Sequence, residues 1–295
     1  MRVKFVSFAV AVLVAGALFV PRASAQNPDT LMPEQSIAKG KQILSDLINA
    51  FGGAGYAEVR ESECSGRRVL FGHSGDVVGD IGFAELRRYP DKVRTEYIGK
   101  SHHNILSYMI GIDGLDLAHG GIVVTLYNDN HGWSFDRSGV NEMPAASISD
   151  FQESVKRNID NLLRLRLNEP GISIRFGGND TVDLKQVDWV EITDGEQRKF
   201  RLAVDRSKHF LVRSVVYTKD EENQQINEDV SIYSKYQLKD SVWTALQVSR
   251  EHNGRRSVQI FYDNCHYNPG FPDDIFDKST LSKQFSQTLA KKSTK

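Results

Sequence analysis

Two stretches of the chain space their apolar residues as helices do, and the remainder alternates as strands do. From Ser36 to Phe51, Ile37, Ile43, Leu44, Leu47, Ile48 and Phe51 recur at helical spacing, and Gly52-Gly53 follows as a stop signal. In SISDFQESVKRNIDNLLRLRLNEPG, the residues Ile148, Phe151, Val155, Ile159, Leu162, Leu163 and Leu167 form a second stripe. Ser147 or Ser149 can cap this helix, Pro170-Gly171 ends it, and Lys156, Arg157, Arg164 and Arg166 mark its polar face.

Elsewhere short runs alternate between apolar and polar residues and are separated by turn chemistry, the signature of an all-β sheet. In RKFRLAVD, Phe200, Leu202 and Val204 share one face of a strand while Lys199, Arg201 and Ala203 share the other. Asp194-Gly195 and Asn253-Gly254 are tight-hairpin signals, because both positions of such turns need positive φ. They join 187–193 to 198–205 and 242–251 to 256–267. Further strands are expected near 57–72, 76–87, 92–98, 121–127, 132–136, 171–177, 210–218 and 227–237. The pattern predicts a mainly β fold of about ten or eleven antiparallel strands with a few helices. In FLVRSVVYT, Phe210, Val212 and Val216 fall on one side and Leu211, Val215 and Tyr217 on the other, as in a sheet partly covered on both faces. A large sheet that curls without closing leaves a concave face for amphipathic helices to cover. Where they do not fill it, an apolar cavity suited to an acyl chain remains, the alternative being a fully packed core.

The N-terminus changes the count of what folds. MRVKFVSFAVAVLVAGALFVPRASAQ has a basic start, an apolar run and Ala23-Ser24-Ala25, so residues 1–25 read as a cleaved secretory signal peptide, with an uncleaved anchor as the alternative. No cysteine stands at the cleavage point for lipid attachment. Cleavage removes Arg2, Lys4 and Arg22 and no acid, so the formal charge goes from −1 to −4. That balance argues against a nucleic-acid partner. The expected organisation is a flexible leader at 26–35, one domain at 36–280 and a basic tail at 281–295, exported to the periplasm as a monomer. Cys64 and Cys265 either bridge the first and last strands in an oxidising compartment or sit singly as small buried hydrophobes.

Local chemistry is sparse. Adjacent His102 and His103 point apart on either a strand or a helix, and His73, His119, His131, His209, His252 and His266 stand singly, so no metal motif emerges. No serine lies in G-x-S-x-G, and Gly120-Gly121 and Gly177-Gly178 lack the setting of a phosphate loop. Asp129, Asn130 and His131 in YNDNHGWSFDRSG read as exposed turn residues, leaving Trp133 to pack into the sheet. The expectation is a protein without catalytic residues, cofactor or metal.

Several motifs in order resemble one family. YPDKVRTEY (89–97), LYNDNHGWSFD, LAVDRSKHFLVRSVVYT and NPGFPDDIFDKS (268–279) are similar to successive strand and turn motifs of the periplasmic outer-membrane lipoprotein-sorting proteins, the LolA-like family. The resemblance spans about Ser36 to Ser279. It implies a curved antiparallel half-barrel of about eleven strands with α-helices over its concave side, carrying lipid acyl chains or lipoproteins between membranes without catalysis. It also implies partners among inner- or outer-membrane lipoprotein transport proteins. On that reading Arg94 is the polar residue of the cavity or its lid. Phe83, Leu86, Tyr97, Trp133 and Phe135 are candidates for its lining, and the second helix adds Phe151, Val155 and Ile159. The segment 101–121 has no family counterpart and could form a short helix over the cavity mouth. Thr95 stands where an aromatic is frequent. Because the fold also serves envelope sensors that bind a protein partner, a non-enzymatic interaction module is the alternative function.

Overall fold

A computed structural model of the chain describes residues 30–98, 122–219 and 224–283. The proposed signal peptide, the 101–121 segment and the end of the basic tail lie outside the described residues. The strands are β1 (Glu61–Phe71), β2 (Val77–Arg88), β3 (Lys92–Ile98), β4 (Ile122–Asn128), β5 (His131–Asp136), β6 (Gly139–Glu142) and β7 (Ser173–Val182). They continue with β8 (Lys185–Thr193), β9 (Lys199–Asp205), β10 (Leu211–Lys219), β11 (Ile226–Lys239), β12 (Val242–His252) and β13 (Arg255–Tyr267). All thirteen form one antiparallel sheet in the order β6-β5-β4-β3-β2-β1-β13-β12-β11-β10-β9-β8-β7.

Among the described residues the count is thirteen, above the eleven expected, and twelve of the strands fall on the ranges read from the sequence. The strand without a counterpart there, β6, is only four residues long and pairs Phe135 with Val140 at a sheet edge. Strands β7 and β8 also run longer than their apolar cores, meeting at Asp183 and Leu184, both at positive φ. No glycine advertises that turn. Asn253-Gly254 forms the expected two-residue hairpin, with φ of 50° and 74°. At Asp194-Gly195 the loop is longer: Asp194 N–H donates to the Arg198 carbonyl, and Gln197 takes the positive φ of 64°. On β10 a bulge between Leu211 and Arg213 breaks strict alternation. Leu211 therefore joins Val216 in one core while Val212 joins Val215 in the opposite one.

Helix α1 (Pro33–Phe51) starts with proline at its first position, and the Gln35 side chain accepts the Met32 N–H at 3.3 Å. Its small residues Ser36 and Gly40 face β7, where the Ser36 hydroxyl accepts the Phe176 N–H at 3.2 Å. A Cβ on Gly40 would stand 2.9 Å from the Arg175 carbonyl carbon, so only glycine permits this approach. Ile43, Leu44, Leu47 and Phe51 then bury against Phe176, Val190, Ile192 and Phe200. A one-turn helix α2 (Ala54–Ala57) follows and buries Tyr56.

Strands β6 and β7 are opposite edges of the sheet, so the segment joining them passes from one edge to the other. It opens as helix α3 (Ala145–Arg157), which starts before Ser147 and has no side-chain cap. The single long helix expected here breaks at Asn158, whose backbone is extended (φ −68°, ψ 125°) and whose side chain accepts the Asn161 N–H at 2.9 Å. The chain restarts through Ile159–Asn161 into a π-helical turn at Leu162–Arg166. Leu162 and Leu163 enter the α1 core, while Met143 and Ile148 enter a second core on β2, β3, β12 and β13. On the other face, Phe271, Ile275, Phe276 and Leu281 of the C-terminal segment pack with Val124, Leu126 and Phe135.

Candidate functional site

Strands β1 and β13, the middle of the sheet, carry small or polar residues toward the face where the first two cores lie. Ser62 and Cys64 come from β1 and Cys265 from β13, and the two cysteines are joined by a disulfide. Because these side chains are short, the flanking cores are joined there through Tyr233 and do not fill the space between them. A cavity of about 460 Å³ remains, lined by α1, α2, the 154–164 segment and strands β1, β2 and β10–β13. Its volume falls in the range of small-molecule sites.

Part of the lining is apolar: Phe51, Val155, Ile159, Leu211, Val216 and Val242. From Tyr56 the rings continue through Phe51 (5.1 Å), Tyr236 (5.9 Å), Phe210 (4.6 Å) and Trp243 (5.4 Å), the last at 38% exposure. Four tyrosine hydroxyls on this wall are paired. Tyr236 donates to the Leu211 carbonyl (2.8 Å), Tyr56 donates to Asp160 (2.9 Å), and Tyr233 and Tyr267 bond to Ser214 and Thr244. Burial pushes the Tyr56 and Tyr236 phenols well above their ordinary value, so both stay neutral.

The rest of the lining is charged, which an acyl-chain cavity alone does not require. Glu85, 7% exposed, accepts from Arg68 and Arg87 at 2.7 Å each. Burial would raise its carboxyl, but the Arg87 and Arg68 guanidiniums outweigh that and hold it far below the usual carboxylate range. Arg164 is more deeply buried, with its side chain 2% exposed. It lies over the rings of Tyr56 (4.2 Å) and Tyr89 (4.8 Å), and its Nη2 stands 3.5 Å from Asp160 Oδ1. Its Nε and Nη1 are buried without a hydrogen-bond partner. The apolar stripe of one long helix places Arg164 on the opposite, polar face. The break at Asn158 turns it inward, and no local signal announces that.

The nine sequence-selected residues divide three ways. Val155 and Ile159 line the cavity, and Phe151 stacks on Tyr127 at 4.1 Å. Phe83 and Tyr97 are buried in the adjoining core on the same face, where Arg68 lies over Phe83 and donates to the Tyr97 hydroxyl at 2.9 Å. Leu86, Arg94, Trp133 and Phe135 pack on the opposite face. There Arg94 donates to Glu96 (2.7 Å) and to Thr280 of the C-terminal segment (3.0 Å), and Trp133 stacks with His131. Asp129, Asn130 and His131 are exposed.

A second, wider groove of about 1060 Å³ lies on the other flank of α1, between Ile37, Leu44 and Ile48 and the edge residues Ile172, Ile174 and Phe176. Among the described residues no cluster of three or more His, Cys, Asp or Glu could hold a metal ion, and no helix is long and apolar enough to cross a membrane.

This fold, a long antiparallel sheet with helices packed on one face, recurs among solved structures. The chain matches a DUF1329 family protein from Desulfovibrio piger at 13% identity and a TM-score of 0.53, over 87% of this chain and 100% of that one. It also matches, at a TM-score of 0.49 each, a Vibrio parahaemolyticus domain proposed to be an outer membrane lipoprotein-sorting protein and a LolA superfamily protein from Nitrosomonas europaea. These two are 10% and 12% identical, over 83% and 82% of this chain and 99% of each of theirs. At such identities the likeness is one of fold. No protein-family model matches the sequence, and no curated protein matches it.

Proposed function

We propose that this protein is an exported, non-catalytic carrier that holds lipid acyl chains, free or attached to a lipoprotein, and moves them across the periplasm. The observation that carries the reading is the cavity between the central strands and the crossing 154–164 segment, with its apolar and aromatic wall. A sheet this long, bent into a half-barrel with helices over its concave side, shields an acyl chain from water. At ~0.8 kcal/mol per buried methylene, a chain of a dozen carbons gains enough to be bound reversibly. The groove on the other flank of α1 offers a second apolar surface for a cargo with more than one chain. The signal-like N-terminus and the Cys64–Cys265 disulfide suit an oxidising, extracytoplasmic compartment.

The test is equilibrium binding of a fluorescent apolar probe to the purified, delipidated protein. Saturable binding of micromolar affinity, reversed by added lipid, is expected. Probe fluorescence that never saturates, or that lipid fails to displace, would refute the carrier reading.

A further inference from the structure

Arg164 is the cavity residue whose bonding is incomplete. Among the described residues that line the cavity, it alone carries buried side-chain donors without a partner, Nε and Nη1. Leaving such donors unmade away from water is costly, and more so for a charged group, so the site gains when an acceptor arrives. The guanidinium cannot readily swing out to find one. Tyr56 and Tyr89 flank it at 4.2 and 4.8 Å, and Asp160, which also accepts the Tyr56 hydroxyl at 2.9 Å, fixes its Nη2 side.

The surrounding charge favours an acceptor that is an anion. Glu85 is shared between Arg68 and Arg87, each at 2.7 Å, so two guanidiniums meet one carboxylate. Asp160 is the acid beside Arg164, and its side chain is 46% exposed and screened by water. The lining as a whole sets Arg87, Arg157, Arg164 and Arg250 against Glu85, Asp160, Asp229 and Glu251, and Arg68, which is paired with Glu85, adds a fifth cation. The ring series that begins at Tyr56, stacked on Arg164, leads away through Phe51 and Tyr236 toward Trp243. Charge at one end and an aromatic path from it describe a ligand with an anionic head and one long apolar tail.

We propose that the cavity is a site for a single-chain anionic amphiphile, with its carboxylate or phosphate head on Arg164 and its tail along the Phe51–Tyr236 wall. This rests on the carrier reading and specifies the chemistry of its cargo.

The experiment measures Kd for three ligands of one chain length, below their micelle concentrations at pH 8: oleate, oleoyl lysophosphatidylglycerol and oleyl alcohol. It uses the whole mature protein, and Arg164→Met and Arg164→Lys beside it. The wild type should bind at least one anion about tenfold or more tighter than the alcohol, the size of a charge-assisted hydrogen bond. The tighter of oleate and the lysolipid identifies the head group. Arg164→Met should bind alcohol as the wild type does and lose the preference, and Arg164→Lys should keep part of it. Equal wild-type affinity for alcohol and anions would overturn the head-group site while leaving the carrier reading intact, an outcome that needs no folded variant. A preference that survives in Arg164→Met would do the same. If the wild type binds none of the three, the carrier reading falls and the head-group site with it.

Discussion

Cys64 and Cys265 are directly opposed in register across β1 and β13 and are joined, so a covalent bond closes the one strand pair that unites the two ends of the chain. On one side of that pair the sheet is a meander through β6, and on the other it is a meander back to β7. The bridge spans 201 residues of sequence. A loop of that length loses much entropy on closure, so the double variant Cys64→Ser/Cys265→Ser should be less stable by about 3–5 kcal/mol. Urea unfolding of the oxidised wild type against the variant measures this. Coincident midpoints would mean that β1 and β13 hold together without the bond.

Glu85 makes a prediction in acid. Its folded-state affinity for protons is depressed by Arg87 and Arg68, while in the unfolded chain it returns toward its ordinary 4.5. The contribution is therefore fully present above that ordinary value and is lost as pH falls from it toward the much lower folded one. Denaturation midpoints should drop steeply below pH 4.5. Glu85→Gln leaves two guanidiniums on this wall without their acid and should cost about 3 kcal/mol at neutral pH. Its midpoints should also fall less steeply in acid. Parallel curves for the two proteins would show that Glu85 does not set this dependence.

Gly40 reverses a common rule. Replacing a mid-helix glycine with alanine ordinarily stabilises by about 1 kcal/mol. Here the added methyl would press on the Arg175–Phe176 backbone at 2.9–3.2 Å, which cannot move without disturbing β7. Overpacking of this kind costs about 1–3 kcal/mol, so Gly40→Ala should lower stability on balance. A raised thermal midpoint would mean that α1 does not lie this close to β7.

What could be read from the sequence was local. The α1 stripe, the Asn253-Gly254 hairpin and the alternation in RKFRLAVD each depend on neighbours a few residues away, and each reappears in the structure. The site was legible only in part, because it is made by long-range placement. Val155 and Ile159 belonged to a visible stripe, whereas Arg164 depends on a helix break that Asn158 creates by capping a new turn. The face of Trp133 was also hidden: alternation says that Trp133 and Phe135 share a side, but not which side of the sheet meets the crossing helices. That follows from the passage of the chain from β6 to β7, edge to edge.

Trp133 stands apart from the cavity. It packs beside Phe135 under the C-terminal segment, on the face away from Val155 and Ile159. Trp133→Ala should lose about 2 kcal/mol of stability, less than a fully buried tryptophan would. Its Kd for an apolar probe should be unchanged. A several-fold weaker Kd in a folded variant would place the ligand on that face instead.

The carrier reading is tested most directly by mass spectrometry of organic extracts from the protein purified gently from its native envelope. A carrier of this kind should yield a lipid species in near-stoichiometric amount, enriched over the surrounding membrane and carrying at least one acyl chain. An extract no richer in lipid than that of an unrelated periplasmic protein would contradict it.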